Sequence, residues 1–195
     1  MASAKPGNNR LLPEEKMNVK TLYLIRHTTP RVEAGICYGQ LDIDVADSFE
    51  EEARRVIRWL PPLELVLTSP LLRAYTLGGY LAQKKNCELR SDARLMEKNF
   101  GMWEGRSWND IPRSEVDAWA ADILGYIPAG GESAQQLMLR AQSFLNEISL
   151  LPQQHIAVVA HAGSIRAMLA SISGVPLVDT LKWQIEYGAV IGVRT

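Results

Sequence analysis

Two histidines in this 195-residue chain close apolar runs, and each is followed by residues that interrupt regular structure. Thr21-Leu22-Tyr23-Leu24-Ile25 mixes threonine, aromatic and branched aliphatic residues as a buried strand does, then breaks into Arg26-His27-Thr28-Thr29-Pro30. Pro30 blocks further pairing. His155-Ile156-Ala157-Val158-Val159-Ala160 repeats the design and ends in His161-Ala162-Gly163-Ser164, which leads into an apparent helix from Ile165. The carboxyl ends of strands in open α/β sheets are where ligand crevices form. Arg26 there sets a fixed positive charge beside a residue able to act as a nucleophile, and amides at the helix start after His161 can hold an anion. Core packing does not explain two such strand-end histidines.

With Leu24-Ile25-Arg26-His27 as the first motif, the chain resembles the histidine phosphatase (phosphoglycerate mutase-like) superfamily. Thr68-Ser69-Pro70-Leu71-Leu72-Arg73-Ala74 is similar to its second motif, Leu95-Met96-Glu97-Lys98-Asn99-Phe100-Gly101-Met102-Trp103-Glu104-Gly105 to its third, and Ala160-His161-Ala162-Gly163 to its fourth. The order and spacing agree from about residue 20 to the C-terminus. The chain departs at Thr28, where the superfamily has glycine, and at Ala74-Tyr75-Thr76-Leu77, which replaces the common Ala-x-Gln-Thr pattern. Arg-His-Thr-x-Pro followed by Gly35-Ile36-Cys37-Tyr38-Gly39 is similar to the α-ribazole phosphatase branch.

The elements that must position these residues follow in order. Residues 1–18 are polar, contain proline, glycine and asparagine, and read as a flexible extension before a single domain over 19–195. Residues 48–60 carry Phe49, Ala53, Val56, Ile57 and Leu60 on one side of a helix stopped by Pro61-Pro62. Leu63 to Thr68 reads as a second strand, with a helix after Ser69-Pro70 that places Arg73 about one turn in. Cys87 to Arg90 reads as a short strand. Residues 107–125 read as a loosely helical insertion over the carboxyl edge of the sheet, and Ser133 as the N-cap of a helix over 134–149. Tyr187 to Val193 reads as the final strand. Trp103, Trp108 and Tyr126 are candidates for an aromatic wall against a flat substrate base, although core packing is the favoured role for any one of them. Strands alternating with helices imply a three-layer α/β/α domain; the resemblance adds a mostly parallel central sheet of phosphoglycerate mutase-like arrangement.

A net charge of −1 argues against a general nucleic-acid or membrane binder, so positive field must be local. Cys37 and Cys87 have no metal-type spacing and suit free thiols in a reducing cytosol. The start of the chain has no signal-like apolar region, and the expected location is cytoplasmic. By the resemblance, His27 is the phosphorylated nucleophile and Glu97 the proton donor; Glu104, seven residues on, is the alternative acid and better suits bracing the loop. Arg26, Arg73 and His161 hold the phosphate, and Tyr38 contributes a substrate contact. Arginines with a protonated histidine would neutralise a phosphate dianion with no metal and no cofactor. The expected partner is a small-molecule phosphate ester, most specifically α-ribazole 5′-phosphate or adenosylcobalamin 5′-phosphate. The competing readings are another phosphatase or phosphoglycerate mutase of the superfamily, and a catalytically silent phosphate-binding domain.

Overall fold

The computed structural model describes residues 19–195, so the extension expected over residues 1–18 lies outside the described residues. Strands β1 (Thr21–Arg26), β2 (Leu65–Thr68), β3 (Glu88–Ser91), β4 (His155–Ala160) and β5 (Val190–Arg194) form one sheet in the order β3-β2-β4-β1-β5. The first four run parallel, and β5 lies antiparallel to β1. Helices α1 (Phe49–Arg58) and α2 (Leu72–Lys85) follow β1 and β2, while α4 (Ala134–Ser149) and α5 (Ala162–Ser173) flank β4. Two further helices, α3 (Arg113–Ala121) and α6 (Leu177–Thr180), are short.

Alternation along the strands sorts the core into two faces. Leu22, Leu24, Leu65, Leu67, Ile156 and Val158 pack with Leu137, Phe144, Ile165 and Met168 of α4 and α5. Ile25, Val66, Ala157 and Val159 face the other way, onto Ala53 and Val56 of α1 and Leu77 and Leu81 of α2. β4 and β2 are buried on both faces, which explains their unbroken apolar runs. The result is the expected three-layer α/β/α arrangement.

Local chemistry sets the element ends. Ser133 accepts from the Gln136 amide at 3.1 Å while Gln136 Oε1 accepts from the Ser133 amide at 2.8 Å, a reciprocal cap at the start of α4. The last strand starts later than the sequence pattern suggests. Gly188 takes φ +70°, and its amide donates to the carbonyls of both Arg26 and His27 at 3.1 Å. That turn removes Tyr187 from the strand and sets it against the end of β1. Arg73 also differs: with Leu71 extended as the N-cap, it is the second residue of α2 rather than a turn inside it.

Candidate active site

Register alone brings the histidines together. Arg26 of β1 lies opposite Ala160 of β4, so the next residues, His27 and His161, leave adjacent strands side by side. Their ring centroids are 5.0 Å apart, and each is only 1% exposed. Thr68 of β2 lies opposite Val159, which sets Ser69 Oγ 2.8 Å from His161 Nε2.

The His27 ring is committed to one tautomer. Its Nδ1 is 2.7 Å from the Thr28 carbonyl, which can only accept, so Nδ1 carries the hydrogen. Nε2 keeps its lone pair. Burial first, then the Arg73 guanidinium, and more weakly Arg26, push the His27 pKa down to about 3 against the opposing Thr28 carbonyl. His161 is held well below its ordinary value by burial and then by His27 and Arg73. The protonated His161 expected from sequence is therefore neutral in the free protein; a phosphate dianion beside it would favour its proton.

Two arginines flank the pair. Arg73 is completely buried, and its two terminal nitrogens donate to the carbonyls of Gly39 at 2.6 Å and Leu41 at 2.7 Å. Arg26 donates to the Ile185 carbonyl at 2.6 Å, with its guanidinium carbon 3.8 Å from the centre of the Tyr187 ring. The Nε atoms of both arginines are buried and have no acceptor among the described residues. Tyr38 lies over Arg73 at 5.0 Å, and its hydroxyl is 3.0 Å from that of Tyr187. Burial and this contact raise the Tyr38 pKa, which keeps the phenol protonated.

The six residues singled out in the sequence thus share one neighbourhood, and Tyr187 joins them. Sequence reasoning missed Tyr187 by placing it in a strand; the adjacent Gly188 was the available turn signal.

Glu97 is held by backbone. Its Oε1 accepts from the Lys98 amide at 2.8 Å and its Oε2 from the Gly163 amide at 3.0 Å, in the first turn of α5 beside His161. A Cβ on Gly163 would fall 2.1 Å from Glu97 Oε1, so glycine is required for the approach. Glu104 is built into the loop instead, with Oε1 accepting from the Gln40 amide at 3.0 Å and the Phe100 amide at 2.8 Å. Gly39, at φ +34°, admits it: a Cβ there would meet Glu104 Oε1 at 2.1 Å.

Beside Glu97 and Gly163 opens an apolar cavity of about 220 Å³, walled by Phe100, Trp119, Ile123, Leu137, Leu177 and Leu181 and bordered by Lys98 and Arg166. Of the two roles open to Trp103, Trp108 and Tyr126, the structure bears out core packing, and none of them lines this cavity. Those rings pack with Phe100 and Trp119 into a separate core. Trp103 stacks on Tyr126 at 5.7 Å and is 1% exposed, since burying these large rings against one another removes more apolar surface than lining a crevice would.

Residues 22–195 match the family model of the histidine phosphatase superfamily, branch 1. The chain belongs to that superfamily. It is 30% identical over 177 residues to the glucosyl-3-phosphoglycerate phosphatase of Mycolicibacterium vanbaalenii, covering 83% of this chain and 77% of that one. It is 28% identical over 163 residues to phosphoserine phosphatase 1 of Hydrogenobacter thermophilus, covering 80% and 77%. The crystal structure of the α-ribazole phosphatase from Shigella flexneri superposes with a TM-score of 0.81 at 25% identity, over 88% of this chain and 89% of that one. The departure from the superfamily pattern at Thr28 costs no backbone strain, because Asn86 is the one non-glycine residue with positive φ among the described residues. Thr28 is fully buried and supplies the carbonyl that fixes the His27 tautomer.

Proposed function

We propose that this superfamily member is a phosphomonoesterase that works through a phosphohistidine at His27, with α-ribazole 5′-phosphate or adenosylcobalamin 5′-phosphate as substrate. The observation that carries the mechanism is the His27 ring, whose Nδ1–H is spent on the Thr28 carbonyl and whose Nε2 lone pair is free near neutral pH.

Arg26, Arg73 and His161 hold the phosphoryl oxygens and compensate the charge that develops on them. Nε2 attacks phosphorus, the ester P–O bond breaks, and Glu97 gives its proton to the leaving alkoxide. The Nδ1 proton stays on its carbonyl. Water then attacks phosphorus as Glu97 takes its proton; the P–N bond breaks, its electron pair returns to Nε2, and phosphate departs. Tyr38 and Tyr187, each stacked on one of the arginines, orient the clamp and contact the incoming ester.

The apolar cavity beside Glu97 supports the substrate assignment, since a benzimidazole base attached to the leaving ribose needs a hydrocarbon-lined slot next to the proton donor. The Gly35-Ile36-Cys37-Tyr38-Gly39 segment and the match to the Shigella α-ribazole phosphatase support it too. The competing substrates are the phosphoserine and glucosyl-3-phosphoglycerate esters named for the curated relatives, favoured by the identities of 28% and 30%.

The test is steady-state phosphate release from α-ribazole 5′-phosphate, phosphoserine, glucosyl-3-phosphoglycerate and an aryl phosphate, by wild type and His27→Ala. The expected result is kcat/KM highest on α-ribazole 5′-phosphate, with all turnover lost in the variant. Near-normal turnover in His27→Ala would end the mechanism. A flat profile, or preference for either carboxylate-bearing ester, would end the substrate assignment. Release from none of them would favour a phosphate-binding domain without catalysis.

A further inference from the structure

The cavity beside Glu97 is bordered, besides that carboxylate, by side chains whose polar groups are donors. Lys98 borders it, is 6% exposed, and its Nζ has no acceptor among the described residues. Arg166 borders it from α5, with Nε buried and likewise without an acceptor. Trp119, in the wall, has a buried indole N–H in the same condition. The contrast with its neighbour is informative: the Trp103 indole N–H donates to Glu115 Oε2 at 2.6 Å. Buried donors left unpaired are costly and rare; all three atoms are covered in the free protein, so an acceptor in the cavity reaches Lys98 Nζ by rotation of its flexible four-carbon chain.

Arg166 is anchored through a terminal nitrogen, which donates to the Trp183 carbonyl at 2.9 Å, while its Nε is left over. The Lys98 ammonium lies 4.6 Å from the centre of the Phe100 ring, and its nearest carboxylates are already engaged. Glu132 is paired with Arg140 at 2.7 Å, and Glu97 holds two amides. Burial pulls the Lys98 pKa down, with the charge of Glu132 opposing. Apart from Glu97, the remaining walls are hydrocarbon and aromatic.

We infer that Lys98, supported by Arg166 and Trp119, is a specificity-determining residue: it donates to a hydrogen-bond acceptor on a flat, apolar leaving group seated in this cavity. A complementary leaving group has ring faces for Leu137 and Leu177 and carries acceptors, such as a heteroaromatic nitrogen, rather than donors. An ammonium-bearing alcohol is rejected by two cations, and a hydroxyl-rich sugar gains little from hydrocarbon walls. This rests on the proposed hydrolysis at His27 and narrows its substrate class.

The experiment uses matched aryl esters: 2-naphthyl phosphate and the quinolinyl phosphates in which one outer-ring CH becomes nitrogen. Within the pair, kcat/KM is compared as a ratio for wild type, Lys98→Met and Lys98→Gln, so that intrinsic leaving-group reactivity cancels between proteins. Wild type should favour at least one quinolinyl isomer, and Lys98→Met should lower that ratio about tenfold, the size of one net hydrogen bond, with Lys98→Gln in between. An unchanged ratio in Lys98→Met would overturn the inference. So would a wild type that favours the naphthyl ester over every quinolinyl isomer, a result that stands even if neither variant folds. Including α-ribazole 5′-phosphate separates the two levels of argument. A retained nitrogen preference without α-ribazole turnover removes that substrate and leaves the acceptor pocket, whereas α-ribazole turnover with an unchanged ratio does the reverse.

Discussion

Acidification from pH 7 to pH 5 should destabilise this protein well before its carboxylates titrate. His27 is 1% exposed and its pKa is pushed to about 3 by burial and the guanidinium of Arg73, whereas in the unfolded chain the ordinary value is about 6.5. Between those two values the unfolded chain binds a proton that the native state refuses, so stability rises with pH and is lost as pH falls. The unfolded-state proton is worth about 1.4 kcal/mol per pH unit once pH is below 6.5, which gives about 2 kcal/mol from His27 alone between pH 7 and pH 5. His161, displaced in the same direction for the same reason, adds to that loss. Below about pH 3 the native His27 protonates as well and its share of the slope vanishes. The assay is urea unfolding at half-unit pH intervals, comparing wild type with His27→Asn, whose side-chain amide can still donate to the Thr28 carbonyl and does not titrate. The variant should lose about one proton from the slope near pH 5. Identical slopes in the two proteins, or wild-type stability that is flat from pH 7 to pH 5, would refute the buried neutral imidazole.

Two other perturbations isolate the clamp and the acid. Arg73→Ala should lower kcat/KM by the equivalent of about 3–4 kcal/mol, as the loss of one charged donor to a developing oxyanion does, and a change below threefold in phosphate release would remove Arg73 from the clamp. Gly163→Ala places a Cβ 2.1 Å from Glu97 Oε1, so it should displace the carboxylate. Its kcat should fall more on a poor alkyl leaving group than on p-nitrophenyl phosphate, which needs little proton donation; an equal fall on both would count against Glu97 as the acid.

Much of this was legible in the linear sequence because it is local. Apolar runs ended at Arg26-His27 and at Ala160-His161, and both strands stop there. Ser133 with Gln136 three residues later wrote the start of α4, since a reciprocal cap depends only on neighbours along the chain. The two arginines and Glu97 were found by motif resemblance; an arginine in a helix or a carboxylate in a loop has no local signal of burial.

What tertiary structure decided was every property that depends on neighbours distant in sequence. The β1–β4 register, linking residues 134 positions apart, set the two imidazoles side by side, and burial, with the arginines around them, lowers the pKa of both. A turn at Gly188, fixed by its hydrogen bonds to the carbonyls of Arg26 and His27, carried Tyr187 out of the expected strand and onto Arg26. Trp103, Trp108 and Tyr126 closed on one another and on Phe100, leaving Trp119 to line the cavity, because mutual burial of rings has no signature in spacing. The cavity beside Glu97 exists only where the loop at Lys98 meets α3, α4, α5 and α6. Strand ends and caps are written by adjacent residues, but the charge state of a buried side chain and the polarity of a cavity are set by what the fold packs around them.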